Sequence, residues 1–351
     1  MNNRTNAEEI INLIIEKFWD KGEDFLLEMY PPKPGAEKYS FLWGYGAYMT
    51  LLGTYVKNTG DQEKLRLLLK ANEKLELYKA VGAGPAHYNS HPDKYGAGEP
   101  YYDDNAWVIL ALLQTHELTR DAKFLARAVA AAEYLYGGES EKIGGILWKE
   151  HNCETANTCC CGPAVVCGAL LYGATGDKKY LGRAVKLYDW TVKTLSDADG
   201  VFFDSINGKG EIDRRKYTYN TGTMIWGGAK LYGLTGDARY LNNAAKSARG
   251  AMEHFMSSDA SGFESLPATP WFHVYLLQGL IELDKHKDAR NFIERINAVL
   301  SRAAETGRTA ENLYYPEWRP VASAPPYYHQ GLDSMGTAEC FSLLIPYDGK
   351  I

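Results

Sequence analysis

Two aspartates, Asp103 and Asp104, stand side by side in "EPYYDDNAWVILALLQTHEL", where a polar loop passes into an apolar run. Adjacent like charges repel, so a pair at this point either starts a helix or does chemistry. As helix starters, Asp103 would be an N-cap and Asp104 a first-turn acid favoured by the helix dipole. As chemistry, two carboxylates flanked by Tyr101, Tyr102 and Trp107 suit glycosidic bond cleavage. One acid protonates the leaving oxygen, the other attacks or activates water, and aromatic faces stack on sugar rings. Neighbours on a helix diverge by about 100°, so the two would reach different sides of a bound sugar rather than share a proton. The dipole favours the ionised form, so a general acid here must be held protonated by burial or by its neighbour's charge.

Such a pair needs a scaffold, and the sequence repeats one. The segments "GTYVKNTGDQEKL", "THELTRDAKFLARA", "LYGATGDKKYLGRA" and "LYGLTGDARYLNNA" share a pattern in which Asp61, Asp121, Asp177 and Asp237 are equivalent, at spacings of 60, 56 and 60 residues. That period is twice an ordinary helix with its loop, so each repeat is a pair of helices. In the TGD tripeptide, glycine supplies the left-handed turn that ends one helix and aspartate caps the N–H groups that start the next. Upstream of each lies a helix rich in small and aromatic residues, read as inner; downstream lies one with charges at helical spacing, read as outer. "PWFHVYLLQGLIEL" and "HQGLDSMGTAECFSLLI" add two inner helices, and "TNAEEIINLIIEKFW" and "KDARNFIERINAVLSRAAE" add outer ones. Six inner and six outer helices, with no strand signal of comparable length, predict an all-α, closed (α/α)6 toroid; an open superhelix would share the local pattern. One domain, 1–351, accounts for the whole chain.

Connections from inner to outer helices are short, whereas those from outer to inner are long and rich in Gly and Pro. The long loops therefore share one rim with the N-termini of the inner helices, and function is expected there. Eighteen residues before each repeat aspartate stand Trp43, Asp103, Cys159 and Tyr219; seventeen before stand Gly44, Asp104, Cys160 and Asn220. A single repeat carries acids there, a departure that capping alone does not explain.

The 351 residues, 45% of them hydrophobic, suffice for a large core. A net charge of -6 with interspersed signs offers no basic stripe, and no run approaches the roughly 18 apolar residues of a bilayer span, so neither nucleic acid nor membrane is an expected partner. The N-terminus reads as an amphipathic helix rather than a signal peptide, and three consecutive cysteines suit no disulfide framework. The expectation is a cytoplasmic, reduced protein, or an exported one if a leader precedes this sequence.

Taken together, "YYDDNAWVILALLQTHELT", "TGDKKYLGRAVKLYDW", "DGVFFDSINGKGEID", "YTYNTGTMI" and "TGDARYL" resemble glycoside hydrolase family 76, the endo-α-1,6-mannanases, over most of the chain. The resemblance implies an (α/α)6 fold and retaining hydrolysis of α-1,6-linked mannan or derived manno-oligosaccharides, with no metal or organic cofactor. It implies Asp103 as nucleophile and Asp104 as acid/base, with Tyr102, Asp204, Tyr219 and Asn220 lining the substrate groove; Trp43 and Asn157 join them by position. The chain departs from the family pattern at "NTCCCGPAVVC" and at His273 in "PWFHVY", and both would reshape a subsite.

Other residues keep other readings open. Cys153, Cys159, Cys160, Cys161 and Cys167 are close in sequence, but consecutive cysteines on a helix point apart and no CxxC or histidine spacing completes a zinc site, so they read as small packing residues. His87, His91 and His151 on rim loops and His273 at a helix start fit a sugar epimerase resembling the N-acylglucosamine 2-epimerases, in which histidines move protons. A non-catalytic glycan-binding helical-repeat protein would need no paired acids. Trp148, Trp226, Trp271 and Trp318 either stack sugars or fill the core, and Glu154 and Glu264 have no partner visible in the sequence.

Overall fold

A computed structural model describes residues 2–82, 84–96, 98–151, 153–321 and 327–350 of the protein. Part of the last rim loop, 322–326, lies outside them. The chain opens with an outer helix α1 (Asn3–Lys17) and continues in inner and outer pairs: α2 (Leu42–Thr59) with α3 (Gln62–Lys74), α4 (Tyr102–Thr119) with α5 (Ala122–Gly137), and α6 (Thr158–Thr175) with α7 (Lys178–Leu195). Then follow α8 (Thr218–Thr235) with α9 (Ala238–Phe255), α10 (Pro270–Asp284) with α11 (Arg290–Thr306), and a last inner helix α12 (Gly331–Leu344).

Each inner helix packs on two inner neighbours, in the order α2, α4, α6, α8, α10, α12 and back to α2. The ring is closed. α1 packs on α12 and completes the sixth pair, and the Asn3 amide ties the start of the chain to its end by donating to Asp348 Oδ1 at 2.8 Å. This is the (α/α)6 toroid, not an open superhelix.

The repeat tripeptide forms the tight hairpins, and each of its residues has a task. Gly60, Gly176 and Gly236 end their inner helices at φ 71 to 73°, and Arg120 takes the same left-handed conformation where the second repeat lacks glycine. Asp61, Asp121, Asp177 and Asp237 then cap the outer helices, each accepting the backbone N–H two residues on. The threonines complete the turn: Thr59, Thr119, Thr175 and Thr235 donate to the carbonyl four residues back and accept the aspartate N–H.

Inner helices are buried on nearly every face, while an outer helix such as α9 buries one stripe, including Tyr240, Ala244, Ala248, Ala251 and Phe255. α6 corrects one expectation. Its 18 residues have a mean hydropathy of 1.4, enough by length and composition to cross a bilayer, but the helix is a wall of the ring between α4 and α8. Where inner helices meet closely, glycine is required: a Cβ on Gly222 would lie 2.4 Å from the Leu276 nitrogen.

Short strands decorate the outer-to-inner loops, all at one rim. The largest group pairs Thr155–Asn157 with Phe203–Asn207, which pairs in turn with Ile212–Lys216, all antiparallel. No strand was expected from the sequence at this point. The hairpin 203–216 stands over the N-termini of α6 and α8 and forms one side of the cleft described below.

Gly222→Ala forces backbone against backbone and is expected to lower stability by about 1–3 kcal/mol. Gly182→Ala in α7, where a Cβ meets nothing within 4 Å, is expected to raise it by up to about 1 kcal/mol. Urea unfolding of both variants checks this, and equal effects would contradict the close α8 to α10 approach.

Candidate active site

At the loop-rich rim lies a cleft of about 720 Å³, lined by residues from four of the repeats. The repeat register explains its composition. Phe41, Tyr101, Asn157 and Tyr217 are the N-caps of α2, α4, α6 and α8, and none of them caps through its side chain. Their side chains and those two positions on, Trp43, Asp103, Cys159 and Tyr219, all line the cleft.

Asp103 and Asp104 are the second and third residues of α4, so neither is its cap. They leave the helix in different directions into different surroundings. Asp103 is half-buried; its Oδ1 accepts the Asp104 N–H at 3.0 Å and its Oδ2 accepts the indole N–H of Trp148 at 3.2 Å. Burial raises its pKa to about 6, and the Cys159 thiol, the Asp104 N–H and the Trp148 indole restrain the rise by stabilising the charged form. Asp104 is only 8% exposed, and among the described residues no group donates to its carboxyl. Burial first, and then the charge of Asp103, hold it protonated well above the ordinary aspartate range. Two adjacent carboxyls are thus driven toward opposite protonation states near neutrality.

The loop around Trp148 fixes that difference. Its carbonyl accepts the Tyr102 N–H at 3.0 Å, its own N–H donates to Thr155, and a bridge joins Tyr101 to Lys149. The indole is thereby held against the first turn of α4. Asn105 secures the other side: its side chain accepts the Tyr88 N–H and donates to the carbonyls of Tyr88 and Tyr101, all within 2.9 Å.

Across the cleft, Asp204 on the hairpin is 8% exposed, and burial raises its pKa. Its Oδ1 accepts the Asn220 amide at 3.3 Å, and Arg215 lies 3.6 Å from its Oδ2. Asp213, paired with Arg215 at 2.6 Å, stays ionised. Phe272 stacks on Tyr219 at 4.1 Å between ring centroids, and Tyr101 leans on Trp148 at 5.0 Å. The cleft therefore offers carboxyls and hydroxyls between two aromatic groups, a lining suited to sugar rings.

The structure brings Trp43, Asp103, Asp104, Asn157, Asp204 and Tyr219 to this cleft. It does not bring Tyr102, whose ring stacks outward on Tyr134 at 4.9 Å and packs over Gly138. Asn220, fully buried, lies behind the surface and reaches the site through Asp204. Among the described residues no histidine lines the cleft: His273 is buried between Thr218 and the Pro267 carbonyl, His87 stacks on Tyr134, His91 sits beside Glu37, and His151 is exposed. Of the four tryptophans in doubt, Trp148 lines the site, whereas Trp271 and Trp318 are buried. Glu264 finds its partner in Arg295, with both Oε atoms 3.0 Å from Nε. Arg215 and Phe272 were missed, and Trp148 could not be told from a core tryptophan, because they stand on the hairpin, in α10 or on a loop, outside the TGD register.

A closed helical toroid with an acidic, aromatic-lined cleft on one rim is the class of structure defined so far. The chain belongs to glycosyl hydrolase family 76, whose sequence profile matches residues 3–270. A family 76 mannosidase from Bacteroides thetaiotaomicron superposes with a TM-score of 0.89 at 22% identity, covering 99% of both chains. An α-1,6-mannanase of Salegentibacter sp. HEL1_6, inactivated by replacing two consecutive aspartates with asparagine and bound to α-1,6-mannotriose, superposes with a TM-score of 0.81 at 23% identity, covering 98% of this chain and 99% of that one. The meiotically up-regulated gene 191 protein of Schizosaccharomyces pombe is 26% identical over 307 residues, 78% of this chain and 68% of that protein.

Asp103→Asn removes the charge beside Asp104 and is expected to lower the Asp104 titration point, while burial still keeps it above an exposed aspartate. Carboxyl ¹³C NMR of aspartate-labelled protein reads this; an unmoved Asp104 would contradict the electrostatic link.

Proposed function

We propose that the protein is a retaining glycoside hydrolase acting on α-mannosidic linkages, most directly α-1,6-linked mannan or its oligosaccharides. The observation that carries this reading is the unequal treatment of two adjacent cleft carboxyls. Asp103, with N–H donors on both oxygens, is the anionic nucleophile that attacks the anomeric carbon. Asp104, buried and undonated, is the acid that protonates the departing oxygen and then, as base, activates the water that releases the sugar. Trp43, Tyr219, Asn157 and Asp204 hold the sugar, Asn220 orients Asp204, and Trp148 keeps Asp103 ionised.

The linkage rests on likeness. The α-1,6-mannanase relative is described as inactive without its two consecutive aspartates and was obtained with an α-1,6-mannotriose. An epimerase reading has no histidine among the described cleft residues to support it. Six free thiols suit work in a reducing compartment, where manno-oligosaccharides would be the available form of the substrate.

Reducing-end release from linear α-1,6-manno-oligosaccharides is the direct test. Asp104→Asn is expected to lower turnover by about 10² to 10⁴ on natural linkages but far less on an aryl α-mannoside whose leaving group needs no proton; Asp103→Asn is expected to abolish both. Wild-type turnover should fall below pH about 6 as Asp103 takes up a proton and fall again at higher pH as Asp104 loses its own. No turnover of any α-mannoside would overturn the reading, and rescue of Asp103→Asn rather than Asp104→Asn by the aryl substrate would reverse the two roles.

A further inference from the structure

The cysteine run does something that helical spacing did not suggest. At the first turn of α6, Cys159 and Cys160 do not diverge: their sulfurs lie 4.0 Å apart. Asp103, reaching across from α4, joins them, with one carboxylate oxygen and the two Sγ atoms all within 4.8 Å of one another. A tetrahedral zinc with bonds of about 2.3 Å to two thiolates holds their sulfurs about 3.8 Å apart, so the observed pair needs almost no adjustment.

We propose that Cys159, Cys160 and Asp103 form a binding site for a thiophilic divalent cation, zinc or cadmium, at the floor of the cleft, and that occupancy blocks the cleft. Two sulfurs and one oxygen from separate helices are a donor set that thiophilic ions select over magnesium or calcium. Cys159 lines the cleft and gives the ion its entry, while Cys160 is fully buried behind it. Asp103 can ligate through one oxygen while the other keeps the Trp148 indole. On binding, both thiol protons pass to water, and no electron changes hands. The bound ion occupies the lone pair that would attack the sugar, so the blockade is reversed by a chelator. The site itself is independent of the proposed reaction, whereas the blockade rests on the reading of Asp103 as nucleophile.

The test uses the reduced full-length chain, freed of metal and titrated with cadmium. Ultraviolet thiolate-to-metal charge transfer should saturate at one ion per chain, and X-ray absorption should count two sulfur neighbours. Cys159→Ser and Cys160→Ser should each weaken binding at least about tenfold, while Cys153→Ser, in the rim loop, should leave it unchanged. A sulfur shell of fewer than two, or unchanged affinity in both α6 variants, overturns the site. Cadmium bound with this signature but without effect on α-mannoside turnover overturns the blockade; if no α-mannoside is turned over, the spectroscopy still decides the site.

Discussion

Close approach of the inner helices is the constraint on which the cleft depends. Six helices can surround one axis with their N-termini on a single rim only if neighbours nearly touch, and glycine stands where they do. A Cβ on Gly162 would meet Thr223 at 2.2 Å, one on Gly279 the Gly222 carbonyl at 2.4 Å, and one on Gly336 the Trp271 backbone at 2.3 Å. Closure of the last gap by α1 and α12 keeps the ring from opening into a superhelix. With the ring fixed, caps and second residues of successive inner helices point into one space, and the long loops have only that space to cover.

Within it, chemistry follows from unequal solvation. Asp103 and Asp104 belong to the same turn of the same helix, feel the same dipole, and differ chiefly in what else touches them. An indole and a backbone N–H support charge on one; the other has burial and a neighbouring anion. The two carboxyls of one dipeptide are thereby held toward different protonation states. The arrangement depends on Trp148, and Trp148 depends on a loop pinned by backbone pairing to Thr155 and Tyr102. The start of the cysteine run lies directly beside Asp103.

What was legible in the sequence was what repeats. The TGD tripeptide announced its hairpins because threonine, glycine and aspartate each satisfy a local backbone need, and even Arg120, where glycine is missing, follows the register. Counting back from those aspartates located four cleft residues, since equal helix lengths carry the register to the rim. The rest lacked a period. Tyr102 was misread because the first residue of α4 points outward to Tyr134, and Asn220 because a buried amide can serve a site through a carboxylate. The cysteines are buried as small packing residues should be, but the approach of the Cys159 and Cys160 sulfurs to 4.0 Å was not expected, because an average turn per residue describes Cα directions, not where two sulfurs settle at a helix start. Trp148 and Arg215 stand on rim segments whose positions depend on contacts far away in the chain.

The central claim is that surroundings, not position on the helix, make Asp103 the nucleophile and Asp104 the acid. It is tested most directly by trapping the enzyme with an electrophilic mannose analogue that forms a stable ester with the attacking carboxylate, followed by mass spectrometry of the labelled peptide. The account predicts one sugar per chain, esterified to Asp103. A label on Asp104, or hydrolysis with inversion and no covalent adduct, would contradict it.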